Sequence, residues 1–261
     1  NNHLISFDTI ELISRKDKKK IHIREIKKQT YKIKQKIKED IKLITKQKKF
    51  KGLNFKDFPI LMGVINLTPD SFSDGGKYNK KNLGFNHARY LKKKGCQILD
   101  IGGESTRPGA KDVNTKVEWK RINKTLKKIK KLKKFISLDT RKSWIMKQGV
   151  NYKVNLINDV SGFKYDANSI NIVKKNKTPF VIHHMQGNPK NMQKKPRYKN
   201  ILLDIYDFFE NKIKKMRSLG IKHNNIILDP GIGFGKNLKH NMTLINNISI
   251  FHSLGFPIML G

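Results

Sequence analysis

The stretch Ile60-Leu-Met-Gly-Val-Ile-Asn-Leu-Thr-Pro-Asp-Ser-Phe-Ser-Asp-Gly-Gly76 contains the sharpest change of character in the chain. An apolar run, Ile60 to Ile65, ends at Asn66, and a loop rich in hydroxyl, carboxylate and glycine residues follows. A short apolar run of this kind is typical of a strand that is buried on both faces. Many α/β enzymes place their reactive groups in the loop directly after such a strand. We therefore predict a buried strand followed by a functional loop.

The same pattern recurs further along the chain. We predict seven short apolar strands, over residues 60–66, 97–103, 135–140, 154–160, 179–185, 225–230 and 256–260. Helical stripes separate them. One runs from Trp119 to Ile129, and the last carries Leu244 and Phe251 behind an N-cap that we expect at Asn241. Strands that alternate with helices predict a parallel sheet, and both an open doubly wound fold and a closed (β/α)₈ barrel have that alternation.

The positions of the polar residues distinguish these two folds. Six successive strands end in polar side chains: Asn66, Asp100 with Glu104, Asp139, Asn158, His183 with His184, and Asp229. In a barrel all strand ends meet at one mouth, whereas an open sheet binds its ligand at a single switch point. We therefore predict an α/β fold of the TIM (β/α)₈ barrel type. Because we count seven strands, we expect the last βα unit to lie beyond Gly261.

The first 57 residues differ from the rest, because they are rich in lysine and lack glycine until Gly52. Five isoleucines share one face of a predicted helix over about residues 24–48: Ile26, Ile33, Ile37, Ile41 and Ile44. Such a basic amphipathic helix could lie on a membrane or bind a polyanion. We favour packing of the isoleucine stripe on the neighbouring domain. The predicted organisation is thus an extension, residues 1–57, and a barrel domain, residues 58–261.

Composition limits the possible partners and compartments. The 261 residues carry a formal net charge of +37, which would suit nucleic acid. Lysine is abundant throughout, including in helices that need only a solvated face, so we interpret the charge as compositional bias and expect no specific nucleic-acid partner. The single cysteine, Cys96, excludes an intramolecular disulfide and a cysteine-cluster zinc site. It suits a cytoplasmic protein, and no apolar run approaches the roughly 20 residues of a membrane span.

Two motifs look informative but fail when their spacing is checked. The segment Gly231-Ile-Gly-Phe-Gly-Lys236 resembles a phosphate loop, yet a Walker loop needs glycine in place of Pro230 and a hydroxyl residue in place of Asn237. His183 and His184 are adjacent on a predicted strand, so their side chains should point to opposite faces and cannot readily share a metal.

Six segments, taken in order, resemble the dihydropteroate synthase family of pterin-binding barrels, and the resemblance covers about residues 58 to 261. The segments are Met62-Gly-Val-Ile-Asn-Leu-Thr-Pro-Asp-Ser-Phe-Ser-Asp-Gly-Gly76, Asp100-Ile-Gly-Gly-Glu-Ser-Thr-Arg-Pro-Gly109, Ser137-Leu-Asp-Thr140, Ile157-Asn-Asp-Val-Ser-Gly162, His184-Met-Gln-Gly-Asn-Pro189 and Leu228-Asp-Pro-Gly-Ile-Gly-Phe-Gly-Lys236. The resemblance implies a transferase of folate biosynthesis that joins a dihydropterin methyl pyrophosphate to p-aminobenzoate and releases pyrophosphate. It also implies Mg²⁺ as cofactor, small-molecule substrates, and a homodimer for the full-length protein.

The same resemblance assigns roles to individual residues. Asp139, Asn158 and Asp229 would hold the pterin edge as catalytic residues. Asn66 matches the position that binds Mg²⁺, and a single protein oxygen completed by waters and phosphate oxygens is normal for this ion. The other substrate-binding candidates are Thr106 and Arg107 in the second loop, Phe72 and Pro108 beside the arylamine pocket, and Met185 and Phe234 against the pterin.

The chain also departs from the family pattern. His183 stands where the family usually has an apolar residue, and the family's Ser-Arg-Lys and Arg-x-His segments would follow Gly261. We therefore expect the site to be incomplete, and the fragment itself to be inactive, in the chain as given. Arg141 could serve a phosphate or face solvent. Two alternatives stay open: a corrinoid- or pterin-dependent methyltransferase, and a basic polyanion-binding protein on a degenerate barrel.

Overall fold

The computed structural model describes residues 5–55, 59–68, 82–107 and 109–261. The strands are β1 (Thr9–Ile13), β2 (Lys18–His22), β3 (Met62–Asn66), β4 (Ile98–Gly102), β5 (Phe135–Asp139), β6 (Leu156–Asp159), β7 (Phe180–His183) and β8 (Ile226–Asp229). The α-helices are α1 (Tyr31–Thr45), α2 (Leu83–Lys93), α3 (Thr115–Ile129), α4 (Ser143–Asn151), α5 (Ser169–Asn176), α6 (Ile201–Ser218) and α7 (Leu238–Asn246). Short 3₁₀ segments cover Ile23–Lys28, Lys130–Leu132, His223–Asn225 and Ile248–Leu254.

Strands β3 to β8 form one parallel sheet in which every strand lies beside its neighbour in sequence. A doubly wound fold would reverse this order at a switch point. Because crossover connections between parallel strands are right-handed, an unbroken order places all the connecting helices on one face of the sheet. The result is the wall of a TIM-type (β/α) barrel, as the sequence predicts.

Two apolar clusters lie on the two faces of this sheet. On the helix side, strand residues such as Leu99, Leu138 and Phe180 form a large core with helix residues such as Ile122 and Phe209. On the opposite face, which we call the inner face, Leu156, Val181 and Ile227 pack with Phe50 from the segment before β3. Successive side chains of a strand point to opposite faces, so the two clusters use alternate residues of the same strands.

The last predicted strand is only partly correct. Within residues 256–260, Ile258 forms an isolated parallel bridge to Leu228 of β8, and Met259 N–H donates to the Leu228 carbonyl over 2.8 Å. Pro257 lies within this segment and has no N–H to donate, so a regular ladder cannot run through it. The other six predicted strands all form, each shortened by one to three residues.

The N-terminal segment contains more structure than the sequence analysis expects. An antiparallel hairpin pairs β1 with β2, and no strand is predicted there. The predicted helix over residues 24–48 is wrong in extent. A 3₁₀ segment covers Ile23–Lys28, and α1 begins only at Tyr31, after Thr30 in an extended conformation. Ile37 of the isoleucine stripe is buried. Lys48 Nζ donates to the His252 carbonyl, so this part of the chain packs on the segment that follows α7.

The N-cap of α7 also differs from the prediction. Asn237, not Asn241, caps the helix, because its side chain accepts a hydrogen bond from His240 N–H over 2.8 Å. Asn241 lies one turn inside the helix and accepts from Gly233 N–H instead. The helix then ends at Asn246, so Phe251 belongs to the 3₁₀ segment that follows it. Among the described residues, no helix is both long enough and apolar enough to cross a membrane.

Candidate active site

The polar residues that end the strands lie on the inner face of the sheet. Register pairs Asn66 with Gly102, Gly102 with Asp139, and Asp139 with Asn158, so these four positions form one row across four strands. Further along the sheet, register pairs His183 with Asp229. Parallel strands present in-register residues on the same face, so the strand ends assemble a single polar surface.

Asp100 and Asn158 form the centre of this surface. Asp100 points to the inner face from the middle of β4 and is 4% exposed, and Asn158 is 7% exposed. Asn158 Nδ2 donates to Asp100 Oδ2 over 3.1 Å, which orients the amide so that its oxygen faces away from Asp100. Within the described part of the chain, Asp100 Oδ1 and Asn158 Oδ1 are both buried and without a hydrogen-bond partner. Two acceptors are therefore fixed in place and unsatisfied.

Electrostatics at this surface favour the neutral form of the carboxyl groups. Burial, and then the nearby charge of Asp100, raise the pKa of Asp139 well above its usual range. Burial also raises the pKa of Asp100, although the neighbouring Ser137 hydroxyl and then the hydrogen bond from Asn158 work in the opposite direction. Gly102 makes room for this group, since a Cβ there would lie 3.2 Å from Asp139 Oδ2. A hydrogen-bond donor or a positive charge bound here would lower these pKa values and favour the ionised carboxylates.

Asp229 ends β8 and is held from two sides. Its Oδ1 accepts from Gly231 N–H over 2.7 Å, and its Oδ2 lies 3.3 Å from His183 Nδ1. The His183 ring meets the Phe234 ring edge-on, with 4.7 Å between centroids. The carboxylate, the imidazole and the aromatic ring thus form one contiguous group at the end of β7 and β8.

A buried lysine organises the loop after β8. Lys236 Nζ donates to the carbonyls of Gly231, over 2.8 Å, and Phe234, over 2.9 Å, and lies 3.1 Å from His184 Nδ1. Burial lowers the pKa of Lys236 to about 7. Burial also lowers the pKa of His184 to about 2, and the neighbouring Lys236 reinforces that effect, so this histidine is a neutral acceptor. The segment that resembles a phosphate loop is therefore folded around its own lysine.

Four buried ionic side chains connect the loop after β4 to the end of β5. Arg141 donates to Glu104 Oε2 from Nε and an η nitrogen, over 3.0 and 2.8 Å. Lys142 Nζ bridges Glu104 Oε1, at 2.7 Å, and Glu118 Oε2, at 2.5 Å. Burial would raise the pKa of Glu104, but its bonds from Lys142 hold that pKa below the usual range. Arg141 is 4% exposed and does not face solvent.

This buried network, Glu104, Glu118, Arg141 and Lys142, holds the loop that carries Thr106 and Arg107. Both of these residues are half-buried, and Arg107 N–H lies 3.5 Å from Ser105 Oγ.

Register places Asp139 beside Asn158 and in the same row as Asn66. Phe234 lies against the ring of His183, whose Nδ1 is 3.3 Å from Asp229 Oδ2. Met185, 4% exposed, follows β7 on the same side of the molecule. The predicted residues Phe72 and Pro108 lie outside the described residues. Asp100 is predicted among the polar residues of the strand ends, but no role at the site is assigned to it from the sequence. Its signal is a lone acid inside the apolar run Ile98 to Ile101, where a buried strand should have none.

Comparison with known proteins agrees with this geometry. The sequence profile of the family described as "Pterin binding enzyme" matches residues 62–261. The dihydropteroate synthase of Escherichia coli strain K12 is 36% identical over 204 residues, which are 78% of this chain and 72% of that protein. The enzyme of Clostridium beijerinckii is 38% identical over 212 residues, or 81% and 76%.

Solved structures give the same result. The Yersinia pestis dihydropteroate synthase with a sulfonamide drug complex superposes with a TM-score of 0.75 at 38% identity, covering 78% of this chain and 74% of that one. The Xanthomonas albilineans enzyme with 4-aminobenzoic acid gives 0.72 at 32% identity, covering 80% and 74%. The fold and the strand-end site define an α/β barrel enzyme. The chain belongs to the pterin-binding enzyme family, as one of its dihydropteroate synthases, which are transferases of folate biosynthesis.

Proposed function

We propose that this chain binds a dihydropterin methyl pyrophosphate at the inner-face strand ends and transfers its pterinylmethyl group to p-aminobenzoate. The observation that supports this most directly is the pair of buried acceptors, Asp100 Oδ1 and Asn158 Oδ1, for which the described part of the chain supplies no hydrogen bond of good geometry. Buried acceptors without partners are rare and call for a ligand, a water or an ion. A pterin edge carries adjacent ring N–H and amino donors that match two such oxygens.

The acidic surroundings also suit the reaction. Departure of pyrophosphate leaves positive charge on the pterinylmethyl group, and a carboxylate near that charge stabilises it. Asp139 and Asp229 are the candidates for this role. Burial and neighbouring charge raise the pKa of Asp139 well above its usual range. Positive charge growing beside this group would lower that pKa and favour the carboxylate, so the group would interact more strongly with the cation than with the substrate.

The pyrophosphate would lie beside the loops after β3 and β4. Thr106 and Arg107 are the candidates for anion contacts. Arg141 and Lys142 are committed to Glu104, so they support that loop and leave the phosphate to others. Met185 and Phe234 would flank the pterin ring as apolar walls.

Asn66 is the candidate for a magnesium ligand. Its amide oxygen is a hard donor of the kind Mg²⁺ prefers, and it ends β3 in the same row as Asp139. The described residues hold no cluster of three or more His, Cys, Asp or Glu side chains able to bind a metal. An ion held by this one protein oxygen would take its other ligands from waters and phosphate oxygens. Bound there, Mg²⁺ would neutralise charge on the departing pyrophosphate. A homodimer stays a prediction.

Activity of single-residue variants tests the proposal. In the natural protein, Asp229→Ala should lower kcat/KM for dihydropteroate formation by about 30- to 1,000-fold, because a charged hydrogen bond of about 2–4 kcal/mol is lost. The assay uses dihydropterin methyl pyrophosphate and p-aminobenzoate. Lys38→Gln, on the exposed face of α1, is the control and should keep turnover within about twofold.

The opposite pattern would refute the proposal. Full activity in Asp229→Ala, combined with loss of activity in Lys38→Gln, would point to polyanion binding through the basic helix. Transfer of a methyl group in place of dihydropteroate formation would favour the methyltransferase alternative.

A further inference from the structure

We propose that His183 positions the Asp229 carboxylate for the pterin, by donating a hydrogen bond from its Nδ1 to Asp229 Oδ2. This inference rests on the proposed function, because Asp229 is one of the carboxylates proposed there to interact with the pterin. It assigns His183 no contact with substrate, so His183 is a positioning residue.

The backbone brings the two residues together. His183 ends β7, Asp229 ends β8, and the two are paired in register on the inner face. The hydrogen bond from His184 N–H to the Asp229 carbonyl, at 2.9 Å, locks that register directly beside them. His183 is 3% exposed, and its Nδ1 lies 3.3 Å from Asp229 Oδ2. The pair is therefore built into the sheet.

The ring of His183 is confined on two sides. The Phe234 ring lies against it edge-on, 4.7 Å between centroids. Gly231 also lies close to the ring, since an added Cβ there would come within 2.8 Å of His183 Nε2. Gly231 also has a φ of +68°, which favours glycine. The imidazole thus has little room to turn, and its Nδ1 faces Asp229.

The hydrogen-bonding needs of both groups support this assignment. Within the described part of the chain, neither ring nitrogen of His183 completes a hydrogen bond of good geometry, although both are buried. Asp229 Oδ1 already accepts from Gly231 N–H, and Oδ2 is the oxygen that lies nearest His183. A donor on Oδ2 would fix the plane of the carboxylate. Catalytic hydrogen bonds are often long in the free enzyme and shorten in the complex.

Two substitutions separate positioning from space filling. His183→Asn keeps an N–H donor at the δ position, whereas His183→Leu keeps the volume and loses the donor. We expect His183→Leu to raise KM for dihydropterin methyl pyrophosphate about tenfold, the loss of one hydrogen bond to a charged group. KM for p-aminobenzoate should stay unchanged. His183→Asn should stay within about threefold of the wild-type value.

Thermal stability is a second measurement, and it distinguishes a positioning role from a purely structural role of His183. Leucine suits a buried site better than asparagine, so His183→Leu should melt at the same temperature as His183→Asn or higher. Pterin affinity and stability should therefore rank the two variants in opposite orders. Equal pterin KM values in the two variants, or KM values that simply follow melting temperature, would overturn the inference.

A double-mutant cycle separates this inference from the proposed function. In an Asp229→Ala background, His183→Leu should change pterin KM by less than about twofold, because the group it positions is gone. If Asp229→Ala itself leaves pterin KM unchanged, the proposed function fails. If Asp229→Ala raises KM and His183→Leu still adds its full effect, only the positioning role is wrong.

Discussion

Replacing Asp139 by asparagine should make the protein more stable and less active at the same time. Burial, and then the charge of Asp100, raise the native pKa of Asp139 well above its usual value. The folded chain therefore binds this proton more tightly than the unfolded chain does. The stability that this contributes is full below the unfolded pKa, near about 3.9, and is lost as pH rises through the native pKa. Above that pH the ionised carboxylate opposes folding.

The size of the expected increase in stability follows from the same linkage between protonation and folding. Each tenfold difference in proton affinity between the native and unfolded states corresponds to about 1.4 kcal/mol. For a chain of this length, 1 kcal/mol moves Tm by about 2–4 °C. Asparagine is nearly isosteric and carries no charge. We expect the Tm of Asp139→Asn to exceed that of the wild type by about 3 °C or more at pH 7.5.

The assay is thermal unfolding of both proteins between pH 4.5 and pH 8, paired with dihydropteroate formation. The gap in Tm should widen as pH rises, while kcat/KM of the variant falls by about 30-fold or more. A variant that is less stable than the wild type at every pH would refute the account of Asp139. So would an unchanged gap across the pH range.

Two further substitutions test other parts of the structure. Lys142→Met leaves Glu104 and Glu118 buried without their shared cation, so the free energy of unfolding measured in urea should fall by about 3–5 kcal/mol. The exposed control Lys120→Met should lower it by less than about 0.5 kcal/mol. A similar small decrease in both variants would contradict the role of the network. Asn66→Ala should raise the Mg²⁺ concentration needed for half-maximal activity, with turnover largely recovered at saturating Mg²⁺, and an unchanged Mg²⁺ dependence would exclude Asn66 as a ligand.

The strands could be predicted because burial on both faces imposes a simple pattern. Each strand from β3 to β8 is a short apolar run, and the polar residues fall where the run ends. The row formed by Asn66, Asp139 and Asn158 follows from that pattern together with parallel register. That pattern assigns no site role to Asp100, because Asp100 lies within an apolar run and not after it.

Other features depend on contacts that no local pattern specifies. Glu104 and Arg141 are 37 residues apart, and their pairing becomes visible only when β4 and β5 lie side by side. The wrong N-cap of α7 has a related cause. Asn237 and Asn241 are one turn apart, and the choice depends on which side chain reaches a free N–H, here that of His240 or Gly233.

The most direct test of the account is a crystal structure of the natural protein with dihydropterin methyl pyrophosphate bound. We predict that the donor edge of the pterin lies within about 3.2 Å of both Asp100 Oδ1 and Asn158 Oδ1, with Asp139 and Asp229 beside the ring. A pterin bound away from the inner-face strand ends would contradict the central claim. A pterin bound there with its donor edge turned away from those two oxygens would contradict it equally.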